Sequence, residues 1–168
     1  MKFSVLATAF LASFVPPAQA DFDVFMIERK YLGGAPDKQW QVWDLNDRVT
    51  CTGVFERKAF DTLADVSKFT GVRCKGACNI VGPTRDIEQL EMNFRKKDPA
   101  YHWTIYKDRD YGMYSLNGTK LGDCSITTSN NDYHCEHQIL IGLFKETVHG
   151  YNKFYCKSQF TAKEILGL

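Results

Sequence analysis

The pattern of apolar and polar residues predicts a mainly β fold, a β-sandwich or small β-barrel with one or two short helices, stabilised by disulfides. Apolar residues recur with period two in several short runs, and Gly, Pro, Asn and Asp separate those runs. Six cysteines in a chain of 168 residues suit a small cross-linked domain.

Residues 1–20 read as a cleavable export signal. Lys2 supplies the charged start, Val5 to Val15 (VLATAFLASFV) the apolar stretch, and Ala18-Gln19-Ala20 the small-x-small cleavage pattern. A membrane-spanning helix needs roughly 20 apolar residues, and this run falls well short. The expected mature protein is a single secreted, extracellular domain over residues 21–168, with no membrane span.

Within that domain Phe22, Val24 and Met26 share one face of a first strand, and Gly33-Gly34 with Pro36-Asp37 turn the chain. Trp40 and Val42 mark a second strand. The three-residue spacing of Phe60, Leu63 and Val66 predicts a short helix over 58–68. The segment from Ile87 to Phe94 fits either a helical face or a strand, and the alternation of Leu90, Met92 and Phe94 favours the strand. Tyr101, Trp103 and Ile105 alternate next. Tyr114 and Leu116 lead into Asn117-Gly118, the signature of a two-residue hairpin turn. Phe154 and Cys156 mark a late strand. Thr161 and Glu164 fit a capping box that opens a closing helix.

The chain carries 21 basic and 20 acidic residues, and loss of Lys2 with the signal leaves the mature domain balanced. That balance opposes a nucleic-acid partner, whose affinity comes largely from phosphate neutralisation, and attachment to anionic membranes. Cys51, Cys74, Cys78, Cys124, Cys135 and Cys156 are expected to form three disulfides. Cys124 and Cys135 flank the polar segment Thr128 to Asp132 and are placed to bridge neighbouring strands. Cys74 and Cys78 are then expected to bond separately to Cys51 and Cys156, in either order. Cys74-x3-Cys78 has no second close pair to complete a zinc site.

The sequence points to no catalytic residue, metal or cofactor. His134-Cys135-Glu136-His137 resembles a ligand cluster, but on a strand its histidines face opposite ways. Glu91, His102, Arg109 and His149 supply the acid, base and cation of a ribonuclease-like site if the sheet brings them together; otherwise they are exposed polar residues. No acid pair stands out for glycoside hydrolysis, and Asp108 with Asp110 reads as a solvated hairpin end. A protease inhibitor would use a rigid exposed loop, either Lys75 to Ala77 or Lys107 to Asp110. Asn117-Gly118-Thr119 is a glycosylation sequon in an exported chain. Tyr101, Trp103, Tyr106, Arg109, Tyr111 and Tyr114 form the densest aromatic stretch, and aromatics beside Arg are typical recognition anchors. The competing reading of that stretch is a second core layer.

The layout resembles the small cysteine-rich proteins secreted by filamentous fungi, including effectors and elicitors of plant pathogens. The resemblance rests on the signal ending in Ala18-Gln19-Ala20, the six cysteines, and Leu90 to Phe94 followed by Tyr101 to Tyr106. It implies an extracellular β-rich module that binds a host protein, receptor or wall glycan, or provokes a host defence or cell-death response. It carries over no catalytic residues.

Overall fold

The computed structural model describes residues 20–127, 131–139 and 144–168. The export signal, apart from Ala20, and residues 128–130 of the polar segment lie outside them. Ten strands form one sheet: β1 (Ala20–Tyr31), β2 (Asp37–Asp44), β3 (Phe60–Asp61), β4 (Gly71–Gly76), β5 (Ile87–Asn93), β6 (His102–Tyr106), β7 (Gly112–Ser115), β8 (Lys120–Ile126), β9 (Tyr133–Ile139) and β10 (Phe144–Ser158). Their order is β3-β2-β1-β10-β8-β7-β6-β5-β4, with β9 paired to β10. A bridge between Thr62 and Val72 links the two ends of the path, so the sheet is a nearly closed barrel. Closure removes the exposed edges that an open sheet of this size would carry.

The period-two residues fill the barrel. Phe22, Val24, Met26, Trp40, Val42, Leu90, Met92, Ile105, Met113 and Phe154 are all buried in one cluster. Each such side chain contributes roughly 1.5–3 kcal/mol by leaving water. The opposite face of β1 is buried too. Phe25 and Ile27 pack with Trp43, Val54, Cys135 and Val148 under helix α1 (Cys51–Glu56) and β9. Gln41, fully buried there, donates to the carbonyls of Val54 and Arg57 at 2.9 and 3.2 Å and accepts from the Tyr133 hydroxyl at 2.7 Å. This satisfies the end of a helix too short to stand alone.

The helix expected over 58–68 is not formed. Phe60 lies in β3 and Val66 in a loop, and both are buried from non-helical backbone. The first helix instead starts after Thr50, whose hydroxyl caps the Gly53 amide at 3.2 Å. The capping box does open helix α2 (Ala162–Leu166), with Thr161 and Glu164 satisfying each other's backbone amides. The Asn117-Gly118 turn joins β7 to β8 but has a different form. Gly118 alone is left-handed (φ 84°), and Ser115 and Thr119 close the hairpin through a backbone bond of 2.9 Å. Asn117 contributes its side-chain oxygen, which accepts from the Thr119 amide at 3.1 Å.

Three disulfides form, with pairings other than those expected: Cys51–Cys135, Cys74–Cys78 and Cys124–Cys156. The topology explains the difference. β8 pairs with the C-terminal half of β10, so Cys124 lies opposite Cys156. β9 pairs with the other half, which sets Cys135 beside α1 and Cys51. Cys74 and Cys78 meet because the chain reverses at Gly76, a bulge with φ 97°. No helix among the described residues is long and apolar enough to cross a membrane.

Candidate functional site

Strand register builds one polar face on the outside of β4 to β7. Val72, Leu90, Met92, Ile105 and Met113 point inward. Their neighbours therefore point outward and line up across the strands: Arg73 opposite Glu91, Glu91 opposite Thr104, and Thr104 opposite Tyr114. Glu91 receives His102 Nε2 at 2.9 Å on one carboxylate oxygen and Arg73 Nε at 2.7 Å on the other. Arg73 Nη2 reaches that second oxygen as well, at 2.7 Å. His102 is only 5% exposed. Beside it Asn93 donates to the carbonyl of fully buried Val66 at 2.8 Å, which fastens the loop after β3 over this end of the face.

The other end is open. Tyr106 and Tyr114 meet edge to face with ring centroids 6.0 Å apart. The Arg109 guanidinium lies 4.6 Å from the first ring and 4.9 Å from the second. The turn after β6 places it there. A single 3-10 turn, Lys107–Arg109, is followed by two left-handed residues, Asp110 (φ 51°) and Tyr111 (φ 57°). Such a conformation is costly for tyrosine and persists only where the surroundings enforce it. Here the Tyr111 amide bonds back to the Tyr106 carbonyl at 2.9 Å, and the Tyr111 ring packs on Phe154. Gly112 follows because a β-carbon there would stand 2.7 Å from the Tyr114 ring. Beside the turn lies a shallow cavity of about 430 Å³, bordered by Lys75, Glu88, Gln89, Lys107 and Asp108.

The recognition stretch therefore divides. Tyr106, Arg109 and Tyr114 form the surface cluster. Trp103, expected among the surface anchors, is fully buried and stacks on Phe160 at 4.7 Å, so it presents nothing to a partner. Its alternation with Ile105 puts both on the inner face. Tyr101 is half-buried against Phe160 under the Arg95 guanidinium. Tyr111 is half-buried, and burial, helped by the charge of Asp86, pushes its hydroxyl pKa up.

The ribonuclease-like set is not assembled. Glu91 and His102 meet, but each occupies the other, and Arg73 takes the remaining carboxylate oxygen. Arg109 sits over the tyrosines instead. His149 lies on another part of the barrel, opposite Glu28 and His134, with its ring 4.0 Å from that of His134. His134 and Glu136 are exposed, and Lys145 holds Glu136 at 2.7 Å and draws its pKa down. Among the described residues no group of three metal-ligating side chains converges. Neither inhibitor candidate is a free loop: Lys107–Arg109 is a 3-10 turn, and Lys75 and Gly76 end β4 at a bulge closed by the Cys74–Cys78 bridge. Asn117 is exposed at its hairpin tip.

Arg73 was not among the sequence candidates. Its signal was its place between Val72 and Cys74 in an alternating run, but assigning its partner requires the β4–β5 register. In comparisons with known proteins, no family model, curated protein or solved structure matches the chain.

Proposed function

We propose that this protein acts outside the cell by surface recognition, as a secreted effector or elicitor that binds a host protein, receptor or wall glycan. The observation that supports this most directly is Arg109 held between Tyr106 and Tyr114 on a left-handed turn. Tyrosine and arginine dominate binding hot spots, and a group already fixed before binding loses less entropy on contact. The near balance of acidic and basic residues fits a partner other than nucleic acid.

A second reading, a small ribonuclease-like enzyme, is favoured by one observation, the Glu91–His102 contact. A general base must reach the proton it removes. The burial of His102 and the full occupation of Glu91 weigh against that role.

Infiltration of purified mature protein into plant tissue, scored for cell death or defence output, separates the two readings. Arg109→Ala is expected to abolish or strongly weaken the response while circular dichroism shows an intact fold. A response lost with His102→Asn and kept with Arg109→Ala would replace recognition by catalysis.

A further inference from the structure

A separate cleft lies on the outer face of β2, β1, β10 and β8. Register sets four side chains in a row across these strands: Trp43, Asp23, Tyr155 and Ser125. Two adjoining cavities, of about 270 and 310 Å³, open along this row and share Asp23, Leu45 and Asn131. Asp23 is their common floor.

Asp23 is 8% exposed, yet among the described residues it has no ion-pair partner and no hydrogen bond of normal geometry. Ionising a carboxylate so placed is costly, because most of its water has been removed and no cation has replaced it. Burial accordingly pushes its pKa up, and the nearby Asn152 amide only partly offsets this. The surrounding polar groups, Arg48 apart, are carboxylates, hydroxyls and the Asn131 amide. Asp132 borders one cavity, Ser125 borders the other, and Tyr155 is already committed as a donor to Asp21 at 2.5 Å. Asp47 is held by Arg57 at 3.0 Å, which leaves Arg48 as the lone basic residue lining the cleft. Apolar side chains form part of the walls: Leu45 is 45% exposed at the mouth, Ile126 lies on the far side, and Trp43 and Val49 line the second cavity.

An acidic floor under an apolar collar selects a cation on a hydrocarbon stem, since the stem covers apolar surface while the charged head meets the acid. We propose that this cleft binds a single ammonium or guanidinium group carried on an apolar stem, the chemistry of a lysine or arginine side chain, with Asp23 as its counter-ion. The site uses different strands from the Tyr106–Arg109–Tyr114 cluster and stands independently of it.

The test is an amide NMR titration of the mature protein. The cationic probes are acetyl-lysine methylamide, acetyl-arginine methylamide and n-butylamine; the neutral controls are acetyl-glutamine methylamide and methyl glucoside. Saturable shifts at Asp23, Leu45, Ser125 and Tyr155 are expected with cationic probes alone. Preference for the blocked amino acids over butylamine assigns the ligand to a peptide, and the reverse assigns it to a free amine. Asp23→Asn is expected to weaken binding by at least about tenfold. Leu45→Lys, at an exposed position where folding is not at stake, sets a resident cation at the mouth and is expected to do the same. The absence of saturable shifts, an equal response to either neutral probe, or undiminished binding by both variants overturns the proposal.

Discussion

Removing the Cys51–Cys135 bridge is expected to be the most damaging single cross-link deletion. The cysteines are 84 residues apart, so in the chain-entropy model the bridge stabilises by about 4.5 kcal/mol. Cys74–Cys78 spans 4 residues and gives about 2 kcal/mol by the same relation. The structure widens that gap. The first bridge ties a six-residue helix to β9 across the core of Phe25, Trp43 and Val54, whereas the second closes a local bulge. Guanidinium unfolding of Cys51→Ala/Cys135→Ala and of Cys74→Ala/Cys78→Ala, each beside the parent, measures both. The first pair is expected to lower stability by about 4 kcal/mol and the second by about 2. Equal losses, or a greater loss from the second pair, would refute the reasoning, as would new disulfide pairings found by peptide mapping of the parent.

Three other perturbations follow from individual contacts. Glu91→Gln uncouples His102 and Arg73 under the loop after β3 and is expected to cost about 2 kcal/mol in thermal or denaturant melts. Lys153→Met should cost a similar amount, because the buried ammonium donates to the Ile80 and Gly82 carbonyls at 2.8 Å and no other group among the described residues donates to them. Asp23→Asn is expected to stabilise at pH 7. The folded carboxyl holds its proton more tightly than the unfolded one, so the parent is favoured below the ordinary carboxyl range and loses that stability as pH rises through the raised value. The gain should therefore vanish in acid, and melts from pH 3 to 7 should show it.

The strands were legible because one buried face imposes period two: Phe22 to Met26 and Trp40 to Val42 carry that pattern with no competing signal, and in Leu90 to Phe94 it prevails over a helical spacing. The closing helix was legible because Thr161 and Glu164 satisfy each other locally. Three features were not. The spacing of Phe60 and Val66 mimics a helix because a two-residue strand and a loop happen to bury them. Disulfide pairing depends on β10 inserting between β1 and β8, which no local pattern encodes. The surface cluster depends on the two left-handed residues at Asp110 and Tyr111; from sequence, the stretch offered Trp103 and Tyr114 as equal anchors. The role of Trp103 was available in its alternation with Ile105, and its aromatic character obscured it.

Recognition through the Tyr106–Arg109–Tyr114 cluster is tested most directly by a dose–response comparison in infiltrated plant tissue. The parent would be set beside the folded Tyr106→Ala/Arg109→Ala and Glu91→Gln/His102→Asn variants. Loss of a hot-spot residue often costs roughly 2 kcal/mol or more, so the first variant should need at least about 30-fold more protein for the same response. The second should act at the parental dose. Parental potency of the Tyr106→Ala/Arg109→Ala variant, with activity lost in Glu91→Gln/His102→Asn, would contradict the account.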